Sequence, residues 1–562
     1  MKKPLALFAL CSSTALYVAC GSPEQDPLGD DTGNGGTGAH GGASAGSGSG
    51  STGKGGGAGL GSGGGSGTSG GSGGGGAGAG TTGGSAGTAT GGSAGTNVGP
   101  GAGKGGASPM GGTGPAAGMG AGGSSMAGAT TGGSAGSGMA GSATGGTGST
   151  TMCTIDSKSV QSTAIPTVHT VTFSTTLTGI TKAEIEFGPA AGGTTDTAQV
   201  DLMAPMYQTY LVGMKPSSMY VYRIKLTSAA GTCVGMDQMI STGALMNAPK
   251  PTVTIMDAAK HDKGFIIVSS GITGTAAYII DPDGTVVWAA PSSAVSQQPS
   301  RVHLSWDAKR FYTMSLNVQN TKAGKIQSIA MDGTDAKTVS GTTESHHDFT
   351  AIPGGVATLL WNSTGIDAPC SLVEFPEGGS SKTIVADMKT IYKSSSFHTN
   401  AIHYYARDDS YTIGDRNPNL YAKLTRAGVL EWQFGGSNPV DAAKNFSGVT
   451  TWSVNHGHHL TADNQFVFFN NGTGQSSAAF VYKLDPATMK ATQTAKLTGT
   501  NSMVLGDAQM LPNGNILVSG STTGTLTEAT TSGTTVMSIK APSGQAFGYS
   551  EFRESLYGPP PY

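Results

Sequence analysis

The chain has 562 residues, of which 93 are glycine, and only 12% of them are charged. A single globular domain does not carry so much glycine, so the composition predicts a mixture of folded and unfolded parts. The formal net charge of −3 provides no field that would attract nucleic acid, and we expect no nucleic-acid partner.

The N-terminal residues have the pattern of an export signal. Lys2 and Lys3 precede an apolar run over 5–18, and Ala19 is followed by Cys20. The run is too short for a membrane span but fits the apolar core of a cleaved signal peptide. The sequence therefore predicts export from the cytoplasm.

The pattern over 1–20 resembles a lipoprotein signal, in which Cys20 carries the lipid, although Tyr17 stands where such signals usually have Leu. This resemblance implies an outer-membrane or cell-surface lipoprotein whose lipid is its sole membrane contact. An ordinary secretory signal cleaved near Ala19 or Gly21 is the alternative, which would leave a periplasmic or secreted protein.

Residues 21–150 are almost all Gly, Ser, Ala and Thr. Such a segment lacks the bulky apolar side chains that could offset its conformational entropy, so we expect a disordered linker. A flexible coil of this length has a root-mean-square reach of roughly 60 Å. The linker would let a folded domain stand clear of a lipid surface.

Two of the five cysteines, Cys11 and Cys20, lie in the predicted signal. In an oxidising compartment Cys153 and Cys233 could form a disulfide, which would leave Cys370 unpaired. The alternative is three buried free thiols.

Short runs of alternating polar and apolar residues fill 151–245, for example at 167–173 and 182–187. Turn residues separate these runs at the spacing of a small β-sandwich. The stretch 211–223, in which a Leu and a Tyr flank a Pro-bearing turn, resembles the corner of a fibronectin type III domain. No cluster of titratable groups occurs here, which favours a supporting or docking role.

Two kinds of hairpin pattern alternate over 246–562. The first has an Asp, Asn, Gly or Pro turn between two apolar runs and occurs at 280–288, 424–432 and 484–491. The second occurs at 352–357, 460–466 and 511–518. Two alternating hairpins are typical of four-stranded blades, and about fifty residues per blade predict a six-bladed β-propeller. Two stacked sandwiches are the alternative within the same all-β class.

Histidines stand directly before hairpins of the second kind. His346 and His347 precede one of them, and His456, followed by two further histidines, precedes another. His398 opens a further strand, and Arg416 follows the strand after it. In a propeller the segments that enter the inner strands lie near the central axis, so we expect these side chains to converge in one cavity.

This arrangement resembles the arylsulfate sulfotransferase family. The motifs that carry the resemblance are His-His-Asp at 346–348, His-x-Asn at 398–400, Arg416 after a strand, Trp-x-x-Asn-His at 452–456, Asn-Asn-Gly at 470–472 and the run 505–515. Members of the family move a sulfuryl group from a phenolic sulfate ester to a phenol through a sulfated histidine, without a nucleotide donor. The resemblance implies a small phenolic sulfate donor, a phenol acceptor and no cofactor.

By motif match, His456 would be the nucleophile, and His347 (or His346), His398 and Arg416 would hold the sulfuryl oxygens and assist proton transfer. The residue types suit the chemistry, because imidazole is a good nucleophile and leaving group and a guanidinium can bind an anionic oxygen. The predicted substrate-binding residues are His346, Asn400, Asn455 and His459.

Other functions stay open at this point. The crowded imidazoles could hold zinc or copper, but only Asp348 accompanies them as a carboxylate, so we expect no metal. Asn455 and Asn470 depart from the Gln and Asp usual in the family. The main alternative is a non-catalytic, surface-displayed propeller that binds a ligand or a protein. A lyase or hydrolase would need paired carboxylates before the inner strands.

Overall fold

The computed structural model describes residues 151–203, 206–271, 276–292, 295, 299–316, 324–363, 367–472 and 477–560. The predicted signal at 1–20, with Cys20, and the predicted linker at 21–150 lie outside the described residues. The described residues belong to one compact unit and are all-β, with 3-10 helices at Met388–Thr390, Ala442–Lys444 and Ser521–Thr523. Among them, no helix is long and apolar enough to cross a membrane.

Nine strands form two sheets between 151 and 245. They are β1 (Thr151–Met152), β2 (Ser157–Ser162), β3 (His169–Ser174), β4 (Ile180–Pro189), β5 (Asp196–Gln199), β6 (Tyr207–Leu211), β7 (Met219–Ser228), β8 (Gly231–Val234) and β9 (Gln238–Ser241). The larger sheet has the order β1-β8-β7-β4-β5 with β9 also on β7, and the smaller has the order β2-β3-β6.

The two sheets share one apolar core. β3 alternates buried and half-buried residues, and Phe173 packs in the same cluster as Ile185 and Ile224 of the larger sheet. At the predicted corner, the hydroxyl of Tyr220 accepts a hydrogen bond from the backbone N–H of Lys215 at 2.7 Å. Such a bond fixes the turn between β6 and β7 against the core.

A disulfide joins Cys153 to Cys233, as predicted, and Cys370 is a buried free cysteine. The bond links the start of the first sheet to β8, and the two cysteines are 80 positions apart in the sequence. Closing so long a loop removes conformational entropy from the unfolded chain.

Six further sheets follow, each antiparallel. The chain enters through β10 (Thr252–Ile255), and the first sheet holds β11 (Phe265–Ser269), β12 (Ala277–Ile280), β13 (Val286–Ala289) and the final strand β34 (Glu551–Arg553). The second holds β14 (Pro299–Leu304), β15 (Arg310–Ser315), β16 (Lys325–Ala330) and β17 (Lys337–Thr338). The third holds β18 (Ser345–Ile352), β19 (Gly355–Trp361), β20 (Cys370–Pro376) and β21 (Lys382–Val385).

The remaining three sheets continue the series. The fourth holds β22 (Thr399–Tyr405), β23 (Ser410–Asp415), β24 (Leu420–Thr425) and β25 (Leu430–Gly435). The fifth holds β26 (Asn455–Leu460), β27 (Gln465–Asn470), β28 (Ala478–Asp485) and β29 (Lys490–Thr498). The sixth holds β30 (Asp507–Met510), β31 (Ile516–Gly520), β32 (Thr525–Ala529) and β33 (Thr535–Lys540), and β10 pairs with β33.

Each kind of hairpin pattern in the sequence corresponds to one particular connection between neighbouring strands of these sheets. The pattern with Asp281-Pro282-Asp283-Gly284 joins β12 to β13, and the same kind joins β24 to β25 and β28 to β29. The second kind joins β18 to β19, β26 to β27 and β30 to β31. Gly284 has a φ of 87°, which an L side chain rarely adopts, so the turn requires glycine there.

The strands nearest the site are buried on both faces, because neighbouring sheets pack against each other. All eight residues of β18 are buried, so this strand does not alternate between buried apolar and exposed polar residues. Each consecutive pair of sheets shares an apolar cluster, for example Phe434 of the fourth sheet with Phe466 and Phe480 of the fifth. Burying one such aromatic side chain contributes roughly 1.5–3 kcal/mol.

One strand of each sheet touches its counterparts in the two adjacent sheets. These contact strands are β34, β14, β18, β22, β26 and β30, from the first sheet to the sixth. β14 contacts β18, β18 contacts β22, β22 contacts β26 and β26 contacts β30. The series returns to its start: Gln509 of β30 accepts from the Phe552 N–H of β34, and Glu551 of β34 accepts from the Leu304 N–H of β14, both at 3.0 Å.

A buried ion pair holds the incoming segment after β10 to the sixth sheet. His261 Nδ1 lies 2.5 Å from Glu528 Oε2 of β32, and His261 Nε2 lies 2.9 Å from the Pro282 carbonyl oxygen. Glu528 Oε1 also accepts from the Asp262 N–H and from the Asn515 amide. The hydrogen bond to Glu528 raises the pKa of His261 above its ordinary 6.5.

Loss of this pair should change how stability depends on pH. A raised histidine pKa stabilises the fold fully below pH 6.5, and the contribution disappears as pH rises through the folded-state pKa. We expect His261→Gln to lower the free energy of unfolding by about 3 kcal/mol at pH 6, since it leaves Glu528 buried without its charge partner.

Urea unfolding of the wild-type chain and the variant at several pH values between 6 and 9 tests this. The difference between the two proteins should shrink as pH rises across the window that begins near 6.5. A difference that stays constant, or grows with pH, would contradict the assignment of the charged pair.

Candidate functional site

Histidines lie at the start of three contact strands. β18 carries His346 and His347 as its second and third residues, and β26 carries His456 as its second. His398 directly precedes β22. All four side chains are fully buried. The contact strands therefore bring the predicted histidines to one region, as the sequence pattern indicated.

Irregular pairing accompanies these histidines. The register between a contact strand and the next strand shifts over 345–349, over 399–401 and over 455–458. Bulges change the direction of side chains that strict alternation would send to opposite faces. His347 itself has a φ of 53°, so two consecutive imidazoles can be buried together.

The backbone before His456 is strained. Val454 has a φ of 62°, a conformation that costs a β-branched residue about 1–2 kcal/mol. It is held by two hydrogen bonds, from its N–H to Asn419 Oδ1 at 2.8 Å and from the Asn471 N–H to its carbonyl oxygen at 3.0 Å. These bonds fix the direction in which β26 presents His456.

Gly457 explains the spacing of the motif that follows. A Cβ atom at this position would lie 2.1 Å from Asp507 Oδ1 of β30, so no side chain fits. The Gly457 N–H donates to the Gly506 carbonyl oxygen at 3.1 Å. The glycine lets the fifth and sixth sheets approach each other directly beside His456.

The imidazoles of the third and fourth sheets touch. His398 Nε2 lies 3.2 Å from His347 Nε2, and the two ring centroids are 4.6 Å apart. The ring of His346 lies 4.4 Å from that of His347, and it packs edge-on against Trp361 with centroids 3.5 Å apart. Both rings lie near His398, since the centroids of His346 and His398 are 5.7 Å apart, but His347 is the one whose ring nitrogen approaches that of His398.

His456 completes this cluster. Burial lowers the pKa of His456 to about 3, and the nearby charges of Arg416 and His398 lower it further. The pKa of His347 is lowered well below 6.5, first by burial and then by His346, His398, His456 and Arg416. The structure thus brings together all four residues predicted as catalytic, and below we call His347, His398, Arg416 and His456 the imidazole cluster.

Arg416 places its guanidinium at the edge of the cluster. Its Nε donates to Asn417 Oδ1 at 3.2 Å, and its Nη2 lies 3.9 Å from Asp367 Oδ1. Nη1 is buried and makes no hydrogen bond with any described residue. A buried guanidinium nitrogen beside neutral imidazoles can bind an anionic oxygen.

Asn471 lies beside His456 and was not predicted as a site residue. Its amide nitrogen donates to the Ser502 and Leu505 carbonyl oxygens at 2.8 and 2.9 Å. The side-chain oxygen is therefore the atom that faces the imidazole, and its interaction raises the pKa of His456 against the effect of burial. The Asn-Asn-Gly motif in the sequence was the signal for this residue.

Asp367 is a second residue that sequence reasoning missed. Its Oδ1 lies 3.1 Å from His398 Nδ1 and accepts from Asn417 Nδ2 at 3.0 Å. The residue stands alone in a connection between strands, so no motif in the sequence indicated it. Its carboxylate contacts the imidazole of His398, whereas Asp415 accepts from the His398 backbone N–H at 2.8 Å.

The two asparagines predicted to bind substrate differ in how many of their side-chain polar atoms are already hydrogen-bonded. Asn400 donates to the Asn455 carbonyl oxygen at 2.8 Å, and its buried Oδ1 has no hydrogen-bond partner among the described residues. Asn455 donates to the Leu420 carbonyl oxygen at 3.3 Å and accepts from Trp452 Nε1 at 3.4 Å. Asn400, two residues after His398, therefore keeps one side-chain polar atom unbonded among the described residues, whereas both side-chain polar atoms of Asn455 are bonded.

His459 lies apart from the cluster. It accepts from the Met510 N–H at 3.2 Å and lines, with His403 and Arg407, a separate cavity of about 570 Å³. Gly457 and His458 lie between it and His456 on β26, and the two rings face different surroundings. The structure does not bring His459 to the other predicted substrate-binding residues.

A buried ion network lies beneath the cluster. Arg301 of β14 donates to Asp348 of β18 through Nε at 2.6 Å and Nη2 at 3.0 Å, and through Nη1 to Asp507 of β30 at 2.9 Å. All three side chains are at most 1% exposed. Burial disfavours the charged guanidinium, but the two carboxylates outweigh it and raise the pKa of Arg301. Burial raises the pKa of Asp507 to about 6, against the effect of Arg301.

Asp348 extends this network to the fourth sheet, because its Oδ2 also accepts from the Ile402 N–H at 3.0 Å. It directly follows His347, so the network fixes the strand that carries that imidazole.

Removing the central cation should unfold this region more readily. We expect Arg301→Met to lower the free energy of unfolding by about 3–5 kcal/mol, because Asp348 and Asp507 would be left buried with no counter-charge. Urea denaturation measures the loss, and Lys309→Met, at an exposed surface pair, is the matched control. A loss no larger than that of the control would show that the network does not hold the contact strands.

No group of three or more His, Cys, Asp or Glu side chains that could hold a metal ion occurs in the part of the chain that the structure describes. His458, one of the additional imidazoles, lies with Nε2 2.7 Å from Thr412 Oγ1 and packs against His403 with centroids 5.2 Å apart. Its surroundings are those of a packed side chain.

Comparison with known proteins gives one family match. A family model described as arylsulfotransferase (ASST) matches residues 375–542, which is less than a third of the chain. The matched span contains His398, Arg416 and His456. The match supports the arylsulfotransferase family and sulfuryl transfer as the general chemistry. No curated protein matches the chain.

Similar solved structures are distant. A structural-genomics protein of unknown function from Bacteroides thetaiotaomicron is 13% identical, covers 70% of this chain and 100% of its own, and has a TM-score of 0.29. A putative 6-phosphogluconolactonase from Bacteroides fragilis is 11% identical, covers 52% of this chain and 98% of its own, and has a TM-score of 0.34. Neither likeness carries an argument on fold or function.

Proposed function

We propose that the chain is an aryl-sulfate sulfotransferase, which moves a sulfuryl group from a phenolic sulfate ester to a phenol through a sulfated His456. The observation that carries the proposal is the convergence of three buried imidazoles and one guanidinium, from three sheets, in the imidazole cluster. The arylsulfotransferase match over 375–542 supports the same chemistry.

The fold we propose for 246–562 is a six-bladed β-propeller. In its favour are the six antiparallel sheets, the apolar clusters between consecutive sheets and the series of contact strands that returns to its start. The pairing of β10 with the sixth sheet and of β34 with the first would close such a ring. For 151–245 we propose a fibronectin type III-like sandwich, which the Tyr220 corner favours.

The first half-reaction would begin at the uncharged imidazole of His456. A ring nitrogen attacks sulfur and forms an N–S bond, while the S–O bond to the phenol breaks and its electron pair leaves with the phenolate oxygen. The positive charge that develops on the imidazole is stabilised by the Asn471 side-chain oxygen and the Val454 carbonyl oxygen beside the ring. The departing phenolate takes a proton from a neighbouring imidazole.

The second half-reaction reverses these steps with another phenol. The acceptor gives its proton to the same imidazole, and its oxygen attacks sulfur and releases His456. Throughout, Arg416 Nη1 and the imidazole of His347 would bind the sulfuryl oxygens by hydrogen bonds, which strengthen as charge develops in a buried site. Asn400 Oδ1, to which no described residue donates, would accept from the phenol hydroxyl.

For its location we propose an exported lipoprotein, anchored through Cys20 at the outer membrane or cell surface. The signal pattern over 1–20 and the absence of Asp after Cys20 support this. The Gly-rich composition of 21–150 would let the catalytic part reach soluble phenols away from the membrane.

A chromogenic assay tests the transfer. The full-length protein is mixed with 4-nitrophenyl sulfate, with and without phenol, and we expect phenol to accelerate nitrophenol release. His456→Ala should lower the rate by roughly 10³-fold or more, because it removes the nucleophile. Mass spectrometry of the donor-treated protein without acceptor should find one sulfuryl group on the peptide that contains His456.

The matched control is His169→Gln. This substitution changes a histidine of β3, which belongs to the two sheets over 151–245 and not to the imidazole cluster. It should transfer sulfuryl groups at the wild-type rate. If folded wild-type protein releases no phenol from any aryl sulfate, the proposed function is wrong and ligand binding becomes the better hypothesis.

The pH dependence of the first half-reaction provides an independent check. Since burial holds the pKa of His456 at about 3, the nucleophile stays uncharged at pH 5. In a single turnover we expect nitrophenol release not to slow between pH 7 and pH 5. A decline through pH 6.5, the ordinary histidine pKa, would show that the nucleophile is solvated and titrates normally.

A further inference from the structure

Three side chains form a hydrogen-bonded line from the surface into the imidazole cluster. Asp367 Oδ1 lies 3.1 Å from His398 Nδ1, and His398 Nε2 lies 3.2 Å from His347 Nε2. The carboxylate is 52% exposed, whereas the His398 ring is fully buried. The line thus starts at a solvated charge and ends at the position proposed for the sulfuryl oxygens.

The carboxylate determines which ring nitrogen of His398 carries a proton. An ionised carboxylate can only accept hydrogen bonds, so His398 Nδ1 must be protonated. In the neutral ring Nε2 is then the acceptor, and His347 must donate to it through its own Nε2–H. When His398 gains a second proton, that proton can reside only on Nε2, the nitrogen that faces the cluster. The neutral His347 then accepts through Nε2 and carries its own proton on Nδ1, from which it can donate to a sulfuryl oxygen.

Other groups keep Asp367 ionised and in place. The hydrogen bond from His398 lowers the pKa of Asp367, and the Asn417 amide and the Arg416 charge lower it further. Asn417 Nδ2 is anchored in turn by Ser396 Oγ at 2.6 Å. The charged and titratable groups that face His398 are Asp367, His346, His347, His456 and Arg416, with Asp415 on its backbone N–H.

We propose that Asp367 is a positioning residue that makes His398 the proton donor to the departing phenolate and the proton acceptor from the incoming phenol. The proposal rests on the proposed function. As the S–O bond breaks, its electron pair stays on the phenolate oxygen, and the Nε2 proton of His398 moves to that oxygen. His398 becomes neutral with its proton on Nδ1, held by Asp367, and later takes the acceptor's proton on Nε2.

The variant Asp367→Asn tests this, because an amide can donate to Nδ1 and thereby favour the opposite ring tautomer. We expect the rate of donor cleavage by the full-length protein to fall roughly 10²-fold with phenyl sulfate. With 4-nitrophenyl sulfate, whose phenolate leaves without much protonation, the loss should be about tenfold or less. The KM for either donor should change little.

Asp485→Asn is the matched control, since Asp485 is an exposed aspartate that bonds only to its own turn. It should leave both rates unchanged. Near-UV circular dichroism and thermal melting of Asp367→Asn establish that its fold is intact, and Asp367→Ala repeats the comparison without a side-chain donor.

Equal losses for the two donors would overturn the proposal, because damage to the site as a whole affects both alike. An unchanged rate with phenyl sulfate would also overturn it. Failure of the proposed function is a different outcome, since wild-type protein would then cleave neither donor.

Discussion

The charge of Arg301 is the constraint on which the candidate site depends. A guanidinium with no exposed surface is stable only where carboxylates surround it, and here they come from β18 and β30. The bidentate bond to Asp348 fixes the strand that carries His346 and His347. The single bond to Asp507 fixes the sixth sheet, against which Gly457 brings the strand that carries His456. The network thus holds the second, third and sixth sheets together beside the imidazole cluster.

The same burial produces the chemistry of the cluster. A histidine in water is partly charged at neutral pH, but removal from water and the nearby guanidinium of Arg416 keep His456 and His347 neutral. A neutral imidazole has a lone pair available for attack. Packing of the sheets offsets the loss of hydration of these rings, so an imidazole can be buried and still keep its lone pair unprotonated.

Local patterns in the sequence predicted the parts of the fold that depend on local structure. The turn at 281–284 and its counterparts marked hairpins, because Gly and Asp preferences act within a few residues, and all-β architecture followed. The disulfide between Cys153 and Cys233 could be chosen from three available thiols. Arg301 and Asp367 could not be found in this way, since their partners are 47, 206 and 31 residues distant. His459 shows the converse, because adjacency to His456 in sequence did not place it in the cluster.

Two groups of histidines lie along the contact strands, and they differ in their neighbours. Further along the strands, His303 lies 3.2 Å from the buried carboxylate of Glu551, and His458 is bound to Thr412. At the start of the strands the rings face each other and Arg416 instead, and the carboxylate of Asp367 remains at the exposed rim. A sulfate anion would be repelled by the Glu551 carboxylate, whereas the start of the strands offers the buried Arg416 Nη1 as a donor. The two groups of histidines therefore differ in where the carboxylates lie, since imidazoles occur in both.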